Sequence, residues 1–388
     1  MFRLLIRFTP LFIAHLVLSQ SSSTADVKNT FFDEGEHDTI RAEAAIQLAD
    51  NIYNSDLDSA YRLIVKADTW SRKHNYKKGL SITQGYLGFI FHTQGDYLKG
   101  IEGYQQSIAY NRKHNFDMNL AMDLGNYGAL LNDLNDAKAV DLYKESIAIY
   151  KAKNSLEDVA YVYSYIGGYF KGNDEIDSSI YYYNLGLEST SMSDTKAMLL
   201  RHLAEAYFKK GDSQEAFSVI DKGINIVSDR NKASQKILLI TKLNICNSMG
   251  RLDEAEKCIE LLEPLKDLDV NRNASVLYNE LRASFLYRKG KFQEAYDVIN
   301  SVYEKQNEYF NDELINLAKR RSLEFEYQEK NRQDSIRAVE EEKINKLKYE
   351  SKLQEEENHR NILWISIISL LIIIGMIAFG YFRNRRNS

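Results

Sequence analysis

Seven histidines and two cysteines are the side chains of this 388-residue sequence best suited to metal or nucleophilic chemistry. The histidines are scattered. None forms a His-Glu-x-x-His pair, which would put two ligands on one helix face, and none joins a cysteine at zinc-ligand spacing. Cys246 and Cys258 are too few for a disulfide framework or a zinc-finger set. Cys246 stands four residues before Gly250 and Cys258 eight after it, a mismatch that predicts two separate core thiols rather than a bridge. No Gly-x-x-x-x-Gly-Lys-Ser/Thr loop is present to cradle phosphate, and no Gly-x-Ser-x-Gly elbow to expose a serine. Asn273-Ala274-Ser275 fits a glycan acceptor by chance composition alone. The sequence therefore predicts no catalytic residues, no metal, no cofactor and no enzyme activity.

Without a catalytic set, the informative residues are those that build elements. Two prolines in the whole chain argue for helix throughout, because proline interrupts helices and punctuates loops. Twenty-six tyrosines lift the aromatic share to 12%, well beyond a disordered chain. A net charge of −5 supplies no basic stripe for nucleic acid, so none is expected as a partner.

The two ends predict a membrane setting. Arg3 and Arg7 precede a short apolar stretch from Phe8 to Leu18, followed by small polar residues, which is the layout of a signal peptide over 1–22. Residues 23–40 read as a linker. Near the other end, Ile362 to Phe382 run 21 residues without a charge, enough to cross about 30 Å of hydrocarbon at 1.5 Å per residue. Trp364 and Tyr381 stand near the ends of that run, and Arg383, Arg385 and Arg386 follow it. By the positive-inside rule this predicts a single transmembrane helix over 361–382 with a short cytoplasmic tail, 383–388. The expected location is the inner membrane, with the bulk of the chain in the periplasm.

Between the ends lies a repeat. Small residues at Ala60, Gly100, Ala139, Ser179, Ala216, Ala255 and Ala295 recur at spacings of 40, 39, 40, 37, 39 and 40. Four residues after each stands a large one: Ile64, Tyr104, Tyr143, Tyr183, Ile220, Ile259 and Ile299. Upstream, further small residues mark a second helix at Gly88, Gly167, Ala204 and Ala283, with turns at Gly95, Gly211, Gly250 and Gly290 between the two. Small residues let antiparallel helices approach, and a large side chain four positions on fills the adjoining groove. These markers belong to packing.

With Leu87, Gly88, Phe91, Gly95, Tyr97, Gly100 and Tyr104 in one copy, and Leu203, Ala204, Tyr207, Gly211, Ala216 and Ile220 in another, the pattern resembles the tetratricopeptide repeat. Seven copies cover 41–308 at a period longer than the usual one. The resemblance implies an all-α superhelical solenoid of about seven helix hairpins, with a concave face lined by the first helix of each. Counted from the family register, outward positions on that face are His92, Asn132, Lys171, Arg201, Glu205, Asn244, Asn247 and Tyr287. Mixed polar and aromatic side chains there suit a protein or peptide partner.

After Tyr309 the turn signals stop. Residues 324–360 are more than half charged, with Ile336, Val339, Ile344, Leu347 and Leu353 fitting a heptad seam only loosely. A single solvated helix and a two-stranded coiled coil that would make a homodimer remain alternatives for this 309–360 stalk. The order of segments resembles the periplasmic sensor half of tetratricopeptide regulators and histidine kinases of Bacteroidetes. That resemblance implies a membrane-anchored interaction module, either a scaffold or a sensory subunit. In those relatives an output domain follows the span, whereas here only Arg-Asn-Arg-Arg-Asn-Ser does, so a split or truncated signalling regulator is the alternative.

Overall fold

In the computed structural model the described residues are 24–53, 56–268, 270 and 272–386. Among them are fifteen α-helices and one short 3-10 turn, and no strand. The predicted signal peptide, 1–22, lies outside the described residues. Within the first of two units, which runs to Glu324, a short helix α1 (Thr24–Phe32) precedes a run of antiparallel pairs. These are α2 (Asp38–Ile52) with α3 (Leu57–Lys73), α4 (Lys77–Gln94) with α5 (Tyr97–His114), and α6 (Asp117–Asp133) with α7 (Lys138–Ala152). Then come α8 (Leu156–Gly172) with α9 (Ile176–Ser189), α10 (Ser193–Lys210) with α11 (Ser213–Ile226), and α12 (Lys232–Met249) with α13 (Leu252–Leu262). The seventh pair is α14 (Arg272–Arg288) with the start of α15 (Phe292–Arg386).

The stretch expected as a linker is partly helical. Val27 and Phe31, four apart, bury their side chains, and the Phe31 ring lies 5.9 Å from that of Trp70 in α3. Arg41 donates from Nε to the Phe31 carbonyl at 3.2 Å and sets its guanidinium 4.5 Å from the Trp70 ring centre. An apolar pair at helical spacing with a partner to bury it outweighs the polar residues around it.

Turn chemistry sets where each helix stops. Gly95, Gly211, Gly250 and Gly290 end first helices at φ between 71° and 96°, a left-handed conformation that glycine adopts without a Cβ penalty. In the third and fourth hairpins Asn135 and Asp174 take that role at φ 56° and 63°. Their short polar side chains tolerate it where most residues do not. Asp56, Asp96 and Asn231 start helices by accepting from the backbone amides of Ser59, Lys99 and Ser234, each satisfying one orphan donor.

Packing follows the repeat markers. Ala60, Gly100, Ala139, Ser179, Ala216, Ala255 and Ala295 are all buried. The tyrosines four residues after them press onto glycines of the preceding first helix. A Cβ placed on Gly88 would stand 2.9 Å from Tyr104 Cδ1, on Gly128 2.7 Å from Tyr143 Cε1, and on Gly167 2.6 Å from Tyr183 Cδ1. All three rings are fully buried. First helices carry contact from hairpin to hairpin, α4 to α6 to α8 and on to α14. Second helices have no comparable contact with one another among the described residues. The first helices therefore line the tighter side of the stack, as in other solenoids built from helix pairs.

Cys246 and Cys258 are free and buried, two core thiols as the spacing predicts. Both sit in one core cluster with Leu243, Leu262 and Phe285. The neighbouring Cys246 thiol, with burial, pushes Cys258 up.

The second unit, from Phe325 onward, consists of the rest of α15. Ile336, Val339, Ile344, Leu347 and Leu353 are exposed along it. Among the described residues no helix is long and apolar enough to cross a membrane. Within the predicted span, the side chains of 371–374 and 377–382 lie outside the described ones.

Candidate functional site

The first-helix face is held together by its own polar side chains. His92 of α4, predicted to face outward, is instead buried, and its Nε2 pairs with Asp133 Oδ2 of α6 at 3.0 Å. Asn247 of α12 is likewise buried rather than outward. Its Nδ2 donates to the Leu281 carbonyl of α14 at 2.9 Å, and its own carbonyl accepts from Arg288 Nη1 at 2.6 Å. Both side chains bridge neighbouring first helices because close helix stacking covers the positions nearest the axis of the stack.

Lys171, Arg201 and Glu205 do come together. Lys171 Nζ of α8 donates to Glu205 Oε2 at 2.6 Å, and Arg201 Nη1 of α10 donates to Glu205 Oε1. Arg201 Nη2 lies 3.0 Å from His202 Nε2, whose ring stacks on Tyr183 at 5.6 Å. Arginine cannot accept, so Nε2 accepts and Nδ1 carries the proton, facing Glu205 Oε2 at 3.6 Å. Burial raises the Glu205 carboxyl, but Lys171 and Arg201 overcome this and hold it well below the usual range. Burial, with Arg201 beside it, pushes His202 down to about 3, leaving it neutral. The group is internally paired, and it joins the fourth hairpin to the fifth.

The other predicted positions remain apart from this cluster. Asn132 of α6 and Asn244 of α12 are half-buried. Tyr287 of α14 is 65% exposed and meets the Phe292 ring edge-on at 5.2 Å. His202, Asp133 and Arg288 were missed, although each lies next to, or four residues from, a predicted residue in the helical register.

Two further features sit between α4 and α8. Asp123 of α6 is wholly buried, and its Oδ2 accepts from Ser107 Oγ at 2.5 Å and Asn111 Nδ2 at 2.8 Å. Asn111 in turn accepts from Ser81, which accepts from Asn119 at 2.6 Å. Asp123 Oδ1 has no hydrogen-bond partner and abuts Gly85. Burial drives this carboxyl up to about 7 despite its two donors. Beside it, Met122, Gly125 and Asn126 of α6 and Tyr161 and Tyr165 of α8 line a recess of about 30 Å³. Among the described residues, no cluster of three His, Cys, Asp or Glu could hold a metal ion.

No family model matches the sequence, and no curated protein matches it. Solved structures are similar in fold. A Rap protein complexed with competence and sporulation factor shares 11% identity over 74% of this chain and 80% of its own, with a TM-score of 0.53. RapI in its apo form shares 14% over 70% of this chain and 99% of its own, at 0.50. The Rap conjugation gene regulator of plasmid pLS20, in complex with its Phr peptide, shares 12% over 76% and 81%, at 0.51. The fold these comparisons define is an all-α, tetratricopeptide-like solenoid.

Proposed function

We propose that this chain is a membrane-anchored interaction module whose first-helix face takes a peptide or protein partner. The observation that carries this reading is the unbroken stacking of first helices from α2 to α14, which presents one extended face built from many hairpins. Two solved structures of similar fold are complexes, one with competence and sporulation factor and one with a Phr peptide. The uncharged run from Ile362 to Phe382, its terminal Trp364 and Tyr381, and the arginines after it support an inner-membrane anchor with a cytoplasmic tail. The leader-like 1–22 supports a periplasmic solenoid.

Photo-crosslinkers at Asn132, Asn244 and Tyr287 of the full chain in its native cells test the partner reading. Specific crosslinked proteins or peptides are expected, and they should vanish when 41–308 is deleted. Partners that survive the deletion would overturn the reading. For the topology, a fluorescent protein fused after Ser388 should glow, as it does in the cytoplasm; a dark fusion with an active periplasmic reporter at the same place would refute it.

A further inference from the structure

The seventh hairpin keeps a stacking face with nothing stacked on it among the described residues. Counted from the closing turn, Tyr287 stands three residues before Gly290, as His92 does before Gly95 and Asn247 before Gly250. Those two are buried, and each bridges to the next first helix, His92 to Asp133 of α6 and Asn247 to Leu281 of α14. Phe292 and Tyr296 stand two and six residues after Gly290, as Tyr97 and Ile101 do after Gly95. Tyr97 and Ile101 are buried. Phe217, six after Gly211, has Lys242 and Arg251 of the sixth hairpin over its ring, at 5.0 and 4.3 Å. In the seventh hairpin the same three positions, Tyr287, Phe292 and Tyr296, are 65%, 60% and 64% exposed. Tyr287 meets Phe292 edge-on at 5.2 Å, and Tyr296 follows one helical turn on, so the three form one patch.

The other end of the stack is covered: α1 packs against α2 and sets Phe31 beside Trp70. A solenoid end without such a cap normally turns a polar face to water. Here α15 runs on as one helix to Arg386 without turning back to form an eighth hairpin, so the cover has to come from another molecule. Area and charge indicate which. At these exposures three aromatic side chains offer about 400 Å² per copy, half of the roughly 800 Å² that a stable contact takes from each partner. The second unit separately leaves Ile336, Val339, Ile344, Leu347 and Leu353 exposed. A second copy supplies matching apolar area for both surfaces, whereas an unrelated partner would need a separate match to each. The rim of the patch carries both signs, Lys289 and Lys291 beside Glu256 and Glu294, which a two-fold contact sets against themselves.

We infer that the outer face of the seventh hairpin is a self-association surface, on which a second copy of this chain seats its own Tyr287, Phe292 and Tyr296 about a two-fold axis. Aromatic rings that meet edge to face favour such a pairing. The inference is independent of the partner read for the first-helix face.

The test is sedimentation equilibrium of the purified full chain in a density-matched detergent. A dimer is expected. Tyr287→Ser, Phe292→Ser and Tyr296→Ser, combined in one variant, should weaken it by about a hundredfold or more. Because the three side chains are exposed, the variant should keep the helical circular dichroism of the parent, so that misfolding cannot explain the loss. A photo-reactive benzoylphenylalanine at Tyr296 should join two copies of the chain, and one at Tyr181, exposed on the fourth hairpin, should not. A parent that stays monomeric at micromolar concentration overturns the inference. So does a dimer that the triple variant leaves intact and that Ile344→Glu with Leu347→Glu dissolves, which assigns self-association to the second unit alone.

Discussion

Replacing Asp123 with asparagine should remove a pH dependence that the fold builds in. The carboxyl is fully buried, with two donors on one oxygen and none on the other. Burial raises it from 3.8 to about 7, so the folded protein keeps a proton that the unfolded chain gives up. The stabilisation from holding that proton is complete below about pH 4 and is lost as pH rises through 7. A rise from 3.8 to about 7 corresponds, at about 1.4 kcal/mol per pH unit, to about 4 kcal/mol. Asparagine does not titrate. It retains an oxygen for Ser107 and Asn111 but leaves its own amide unpartnered, a penalty of about 1–3 kcal/mol that pH does not change. The variant should be the less stable protein near pH 4 and should gain on the parent by several kcal/mol toward pH 8. Urea denaturation of both full-length proteins across that range reads the difference directly, because the other titrating groups cancel. A difference that stays flat with pH would refute the assignment of a neutral, buried Asp123.

Three further outcomes follow from the packing. Gly167→Ala should lower stability by about 1–3 kcal/mol in thermal unfolding, because its Cβ would overlap the Tyr183 ring; the same change at Gly125 should not. Glu205→Gln leaves Lys171 and Arg201 facing each other without their shared carboxylate, and chemical denaturation should show a loss of about 3 kcal/mol. Cys246 and Cys258 are free and buried, so a chromogenic disulfide reagent should titrate neither in the native protein and both after unfolding; fast native reaction would contradict that core.

The repeat was legible because its markers are local. A small residue with a large one four positions on specifies where two helices approach, and Gly95, Gly211, Gly250 and Gly290 mark the turns by a backbone requirement that needs no tertiary context. Those signals alone determine an all-α chain of seven hairpins. The turns at Asn135 and Asp174 carried no such mark, since asparagine and aspartate occupy many other conformations. The site was less legible. Family register places His92, Asn247 and Tyr287 on one face, but only the stacking of successive first helices decides that two of them are buried bridges and the third is open. The Lys171–Glu205–Arg201 group joins residues 34 apart in sequence. Short-range spacing therefore determined which elements form, and the close approach between hairpins determined which polar side chains are buried and paired and which stay exposed.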